Sequence, residues 1–178
     1  DSAQTSLISM ASTFNTLLYN SLDEIVADPE AVYSTPGIID GAEARANRII
    51  SSTFNTLNET LPSFQQRTLG ASAPDDIEEL IAEARIIIVN LNTLSDTLRQ
   101  RIIDVNDNDE FYAQAADAYL ATLSQVQSQA AAASATLNSI ENQIKAAEEL
   151  IEKARLGGTG TELSTANAQI KQALGSLR

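Results

Sequence analysis

The sequence has no cysteine, no histidine and no tryptophan, and only one methionine. Without cysteine there is neither a disulfide nor a thiolate nucleophile, a composition that fits the cytosol and a staple-free secreted helical protein alike. Without histidine the usual general base near neutral pH is missing, and so is the commonest zinc ligand. Aromatic residues make up 4% of the chain against 43% hydrophobic residues, so any core must be built from Leu, Ile, Val and Ala. No apolar run approaches the roughly 20 residues that a membrane-spanning helix needs. The run Ile86-Ile87-Ile88-Val89 is four residues long. Basic residues are also scarce: 11 Lys and Arg face 24 Asp and Glu, for a net charge of −13. That charge repels the phosphate backbone of nucleic acid and an anionic membrane surface.

Glycine and proline are absent from Asp75 to Arg155, and there the chain is most regular. Apolar positions recur at Tyr119, Leu123, Val126, Ala130, Ala133, Leu137, Ile140, Ile144, Ala147, Ile151 and Ala154. Alternating steps of three and four average 3.5 residues, the period of a helix that keeps one seam against partner helices. A helix over about 109–156 follows. The same logic gives a helix over 2–27, ended by Asp28-Pro29 because a residue before proline is pushed out of the helical region. A second starts near Asp40, with Pro62 expected to kink or end it and 68–74 to connect onward. The third opens at Ser72-Ala73-Pro74-Asp75, where proline suits the first helical position and the carboxylates that follow suit the positive end of the helix dipole. The polar run 106–110 is expected to turn the chain back. After the hinge Gly157-Gly158-Thr159-Gly160, a short fifth helix carries Leu163, Ala166, Ile170, Ala173, Leu174 and Leu177. The expected fold is all-α: one domain over 1–178, an antiparallel four-helix bundle with a long fourth helix and a short C-terminal fifth helix folded against it.

One hexapeptide occurs twice, as Ser12-Thr13-Phe14-Asn15-Thr16-Leu17 and as Ser52-Thr53-Phe54-Asn55-Thr56-Leu57. Relaxed copies stand at Leu91-Asn92-Thr93-Leu94 and Leu137-Asn138-Ser139-Ile140. Their irregular spacing argues against a stacked solenoid. Either Asn and Thr fill exposed positions beside a heptad seam, or they form a polar layer facing a ligand. The first reading is the simpler.

No constellation for catalysis emerges. Asp104, Asn106 and Asn108 begin like a calcium-binding loop, but Asp109 stands where glycine is required and Ala115 where a bidentate glutamate is required. The glycines at 157–160 lack the lysine of a phosphate loop and follow a helix. Glu148, Glu149 and Glu152 lie at surface-pair spacing from Lys145, Lys153 and Arg155. Metal, cofactor and catalytic residues are accordingly expected to be none, and the chain is read as non-enzymatic. Asn58-Glu59-Thr60 is an acceptor triplet for N-glycosylation.

Two functions fit these residues. The first is a non-catalytic extracellular protein acting through a protein partner or through self-association, with helix faces longer than its own bundle covers. The second is a carrier or surface-active protein for a fatty acid or other amphiphile. On that reading the small residues around Ala130 and Ala133, with Leu137 beyond them, leave room along the seam of the fourth helix. In composition alone the chain resembles cysteine-free secreted bundles that handle lipid, such as the exchangeable insect apolipophorins and the fungal hydrophobic-surface-binding proteins. It carries no motif of either. The sequence begins at Asp1 with no targeting segment, as expected of a processed secreted protein and equally of a chain trimmed at its start.

Overall fold

The computed structural model describes residues 2–27, 41–71, 74–106 and 113–155, together with 164, 165 and 168. The chain is all-helical, with four helices packed against each other and no strand among the described residues. The first is a rod in three parts: α1 (Ser2–Thr16), a π-helical turn (Leu17–Leu22) and α2 (Asp23–Ala27). Then come α3 (Gly41–Gly70), α4 (Pro74–Asn106) and α5 (Ala113–Arg155). At about 1.5 Å per residue α5 spans about 65 Å, α4 about 50 Å and α3 about 45 Å. Of the turn expected over 106–110, Asn106 still belongs to α4; residues 107–110, the Gly157–Gly160 hinge and the fifth helix lie outside the described residues or are described at isolated positions only.

Side-chain bonds fix the directions. Gln4 Nε2 donates to the Thr68 carbonyl at 3.3 Å, Asn15 Nδ2 to Gln65 Oε1 at 3.0 Å and the Tyr19 hydroxyl to Asn58 Oδ1 at 2.6 Å. The rod therefore runs antiparallel to α3. Thr68 lies in the last turn of α3, whose carbonyls have no intrahelical donor, so Gln4 satisfies one of them. In the same turn Arg67 reaches across to Glu83 at 2.7 Å and to Glu79 at 2.8 Å. The two carboxylates sit at i and i+4 on α4, and the fork pins the α3–α4 hairpin. Between α4 and α5, Arg85 bonds Glu141 and Asn138, while Arg99 bonds Ser124 and Gln127. The partner number falls as the Arg number rises, so α4 and α5 are antiparallel. The Glu141 carboxylate, chiefly by hydrogen bonding, raises the affinity of the Arg85 guanidinium for its proton.

One core cluster draws on every helix. The rod gives Leu7, Phe14, Leu17, Leu18 and Leu22; α3 gives Ile50, Leu57, Leu61 and Phe64. From α4 come Leu80, Ile87, Leu91, Leu94, Leu98 and Ile102, at the three-and-four spacing read from the sequence. The α5 side is thinner: Leu123, Val126, Ala130, Leu137 and Ile140. Phe14 and Phe64 are both fully buried, their ring centroids 6.1 Å apart and their planes tilted by 38°. Arg101, which falls where the heptad expects an apolar residue, is buried at 6% exposure.

Three details depart from the sequence reading. The Asp23 N–H bonds the Leu18 carbonyl, five residues back, so the rod is widened by a π turn where an uninterrupted α-helix is expected. Leu17 and Leu18 are adjacent and both buried, and the wider turn lets Leu22 and Ile25 join them on the core side. Pro62 does not end α3, and the connection expected from Thr68 starts later: the helix runs through both to Gly70. Pro62 is exposed, while its neighbours Leu61, Phe64 and Thr68 are fully buried, and their burial outweighs the missing proline hydrogen bond. Proline in a helix interior costs about 3 kcal/mol, partly offset by about 1 kcal/mol from its stiffening of the unfolded chain. Pro62→Ala is therefore expected to raise stability by about 2 kcal/mol. Chemical denaturation checks this, and an unchanged midpoint would show that the helix has already absorbed the proline by bending.

Candidate functional site

In both hexapeptides the closing Asn-Thr pair lies toward the surface, while the preceding pair differs: Phe14 and Thr53 are buried, Thr13 and Phe54 only partly so. Thr16 and Thr56 are exposed, and each hydroxyl donates to the carbonyl four residues back, Ser12 and Ser52. Thr93, the corresponding residue on α4, does the same to Val89. Asn15 bonds outward to Gln65, and Asn138 accepts from Arg85. Apart from the buried Thr53, the Asn and Thr positions thus serve helix surfaces and inter-helix rims, and one buried threonine does not make a polar layer.

A groove of about 440 Å3 opens to solvent between α1 and α5. Its walls are two matching helical faces. Ser6, Ser9, Met10 and Thr13 stand on α1 at i, i+3, i+4 and i+7, with Thr5 beside them. Gln129, Ala132, Ala133 and Thr136 repeat the same spacing on α5. Each wall is therefore one stripe of side chains over two helical turns. Met10 and Ala133, at 5% and 7% exposure, form the deeper part, and Thr5, Ser9, Ala132 and Thr136 lie at the exposed rim. The Thr13 hydroxyl donates to the Ser9 carbonyl at 3.0 Å and that of Thr136 to the Ala132 carbonyl at 3.1 Å. Both protons are spent inside their own helices, which leaves oxygen acceptors at the rim. None of the nine lining residues is charged, in a chain of which 20% is charged.

The groove sorts the three seam positions singled out from the sequence. Ala133 lines it. Ala130 and Leu137 share the same heptad seam but are fully buried in the core and take no part in the lining. Thr5, Ser6, Ser9 and Met10 on the opposite wall were not anticipated, although the i, i+3, i+4, i+7 stripe of small residues beside Met10 was legible. Asn58 sits exposed on α3, with its carbonyl oxygen held by Tyr19. Asp104, from the acidic run weighed for calcium, accepts from Gln100 at 2.8 Å. Among the described residues no group of three acidic side chains is placed to hold a metal ion, and no helix is long and apolar enough to cross a membrane.

Some apolar side chains remain outside the core. Ile86 and Val89, at i and i+3 on α4, are 60% and 61% exposed, and Leu69 is 64% exposed. Comparison of the chain with protein-family models, with curated proteins and with solved structures finds no match. The groove and the helix surfaces are thus what a functional reading rests on.

Proposed function

We propose that this chain is a non-catalytic extracellular protein that works by protein–protein contact, laying a helix of a partner or of a second copy into the α1–α5 groove. The shape of the groove carries the reading. Its walls present small side chains at helical spacing, which allow another backbone to approach closely, and it opens to solvent. A helix in a groove is anchored at i, i+3, i+4 and i+7, the spacing both walls already display. A lipid tail needs more enclosure, since small-molecule sites bury about 70–90% of their ligand. The core beneath is filled by large, fully buried side chains, Leu7, Phe14, Leu17 and Phe64 among them, which favours a surface mode of binding.

The carrier reading stands second, on one observation: the lining is uncharged and has Met10 at its floor. Its volume also falls within the roughly 300–1,000 Å3 typical of small-molecule sites. Both readings belong to a finer architecture that we also propose: a single-domain antiparallel four-helix bundle with a short helix over about 163–177 folding back along the end of α5.

Native mass spectrometry of the protein from its own source tests the choice. A dimer, or a complex with another polypeptide, is the expected result. A monomer with a few hundred daltons of extra mass, lost on denaturation, would replace this reading with the carrier. Recovery of the protein from the medium, and not from cells, checks the extracellular placement.

A further inference from the structure

Asn58-Glu59-Thr60 is the chain's only Asn-x-Ser/Thr triplet, and the structure surrounds it with three features that a chance triplet does not need. The first is the Tyr19 hydroxyl, which donates to Asn58 Oδ1 at 2.6 Å. N-glycosylation substitutes Nδ2 and leaves Oδ1 as a carbonyl oxygen, so this bond is compatible with a sugar on the nitrogen. Asn58 itself is exposed.

The second feature is the Tyr19 ring. It projects from the π turn of the rod and is 41% exposed, one of the few large apolar groups left at the surface. An aromatic face beside an asparagine offers the C–H face of the first sugar something to cover, and the phenol keeps its polar end in use. The third is Pro62, four residues after Asn58. Proline has no N–H, so the Asn58 carbonyl lacks its helical donor in the turn that contains the triplet. In the finished helix the Thr60 hydroxyl donates to the Thr56 carbonyl at 2.7 Å, so the triplet is read before this turn closes. Pro62 weakens the closure.

We propose that Asn58 is an N-glycan acceptor and that Tyr19 is the platform on which its first sugar rests. In the transfer, Asn58 Nδ2 bonds to C1 of an oligosaccharide carried on a lipid diphosphate. The bond from C1 to the diphosphate oxygen breaks, the lipid diphosphate leaves, and one Nδ2 proton is released. The proposal is independent of what the groove binds, and shares with that reading only passage through a secretory pathway.

The test is secretion of the full chain from a eukaryotic host behind the host's own leader, so that the natural location of the protein does not enter. Intact mass, before and after an amidase that removes N-glycans and converts the carrying Asn to Asp, reads the site. Wild type is expected to carry one glycan at Asn58. Thr60→Ala, which keeps Asn58, is expected to carry none while retaining its helical circular dichroism. Enzymatic removal of the glycan is expected to lower the Tm of wild type by about 2–4 °C and to leave that of glycosylated Tyr19→Ala unchanged. A folded, secreted wild type with bare Asn58 would overturn the acceptor assignment. Equal Tm losses with and without Tyr19 would overturn the platform.

Discussion

Phe14→Ala is expected to destabilise the protein by about 3–5 kcal/mol, since the mutation removes a fully buried ring and leaves a void that helices cannot collapse to fill. Native stabilities of about 5–15 kcal/mol make that a large share of the total. The ring lies on the rod against Phe64 of α3, 6.1 Å between centroids, in a chain with only eight Phe and Tyr in all. Few other side chains are as large, so no neighbour swings in to replace it. Urea denaturation with an unchanged slope and a lower midpoint is the measurement. Phe64→Ala is expected to cost about as much, and the double-mutant cycle to show about 0.5–1.5 kcal/mol of coupling between the rings. A loss under about 1 kcal/mol for either single change would contradict the packing of the rod on α3.

Leucine at Ala130 and at Ala133 is expected to do opposite things, although the two positions lie three residues apart on one seam. Ala130 is fully buried, so Ala130→Leu forces three extra carbons into a filled core and costs about 1–3 kcal/mol. Ala133 borders open space, so Ala133→Leu is expected to change stability by less than about 1 kcal/mol. It fills the groove between Met10 and Thr136, and with it goes whatever seats there: association is expected to weaken at least tenfold, about 1.4 kcal/mol. Denaturation midpoints separate the two variants, and sedimentation or native mass spectrometry follows assembly. Wild-type assembly by Ala133→Leu would remove the α1–α5 groove as the working surface.

Much of the helical framework is readable one-dimensionally. The stripe from Leu123 through Ile140 on α5 and the series from Leu80 to Ile102 on α4 appear in the core where their three-and-four spacing puts them. Pro74 starts α4 as a first-turn proline should, and Asp75 and Asp76 follow at its positive end. The π turn was not readable. Leu17, Leu18, Leu22 and Ile25 satisfy an α-helical stripe almost as well, and only the packing of both adjacent leucines selects the i−5 bond. The uninterrupted run past Pro62 was unreadable for a related reason: the local cost of the proline is visible in the sequence, and the burial of Leu61, Phe64 and Thr68 that keeps the helix from ending there is not.

Composition and periodicity by themselves determined that this chain is all-helical, with an aliphatic core and an acidic surface that lacks histidine and cysteine chemistry. These are properties of residue type and of spacing along one helix. Tertiary structure decided what needs two helices at once. It turned most of the Asn and Thr of the repeats outward but buried Thr53, brought Tyr19 to Asn58, and set Ser6, Ser9, Met10 and Thr13 opposite Gln129, Ala132, Ala133 and Thr136. A helix turns by about 100° per residue, so neighbours on one apolar stripe differ in direction by tens of degrees. Whether a given one meets the core, as Ala130 does, or a groove, as Ala133 does, depends on where the facing helix lies.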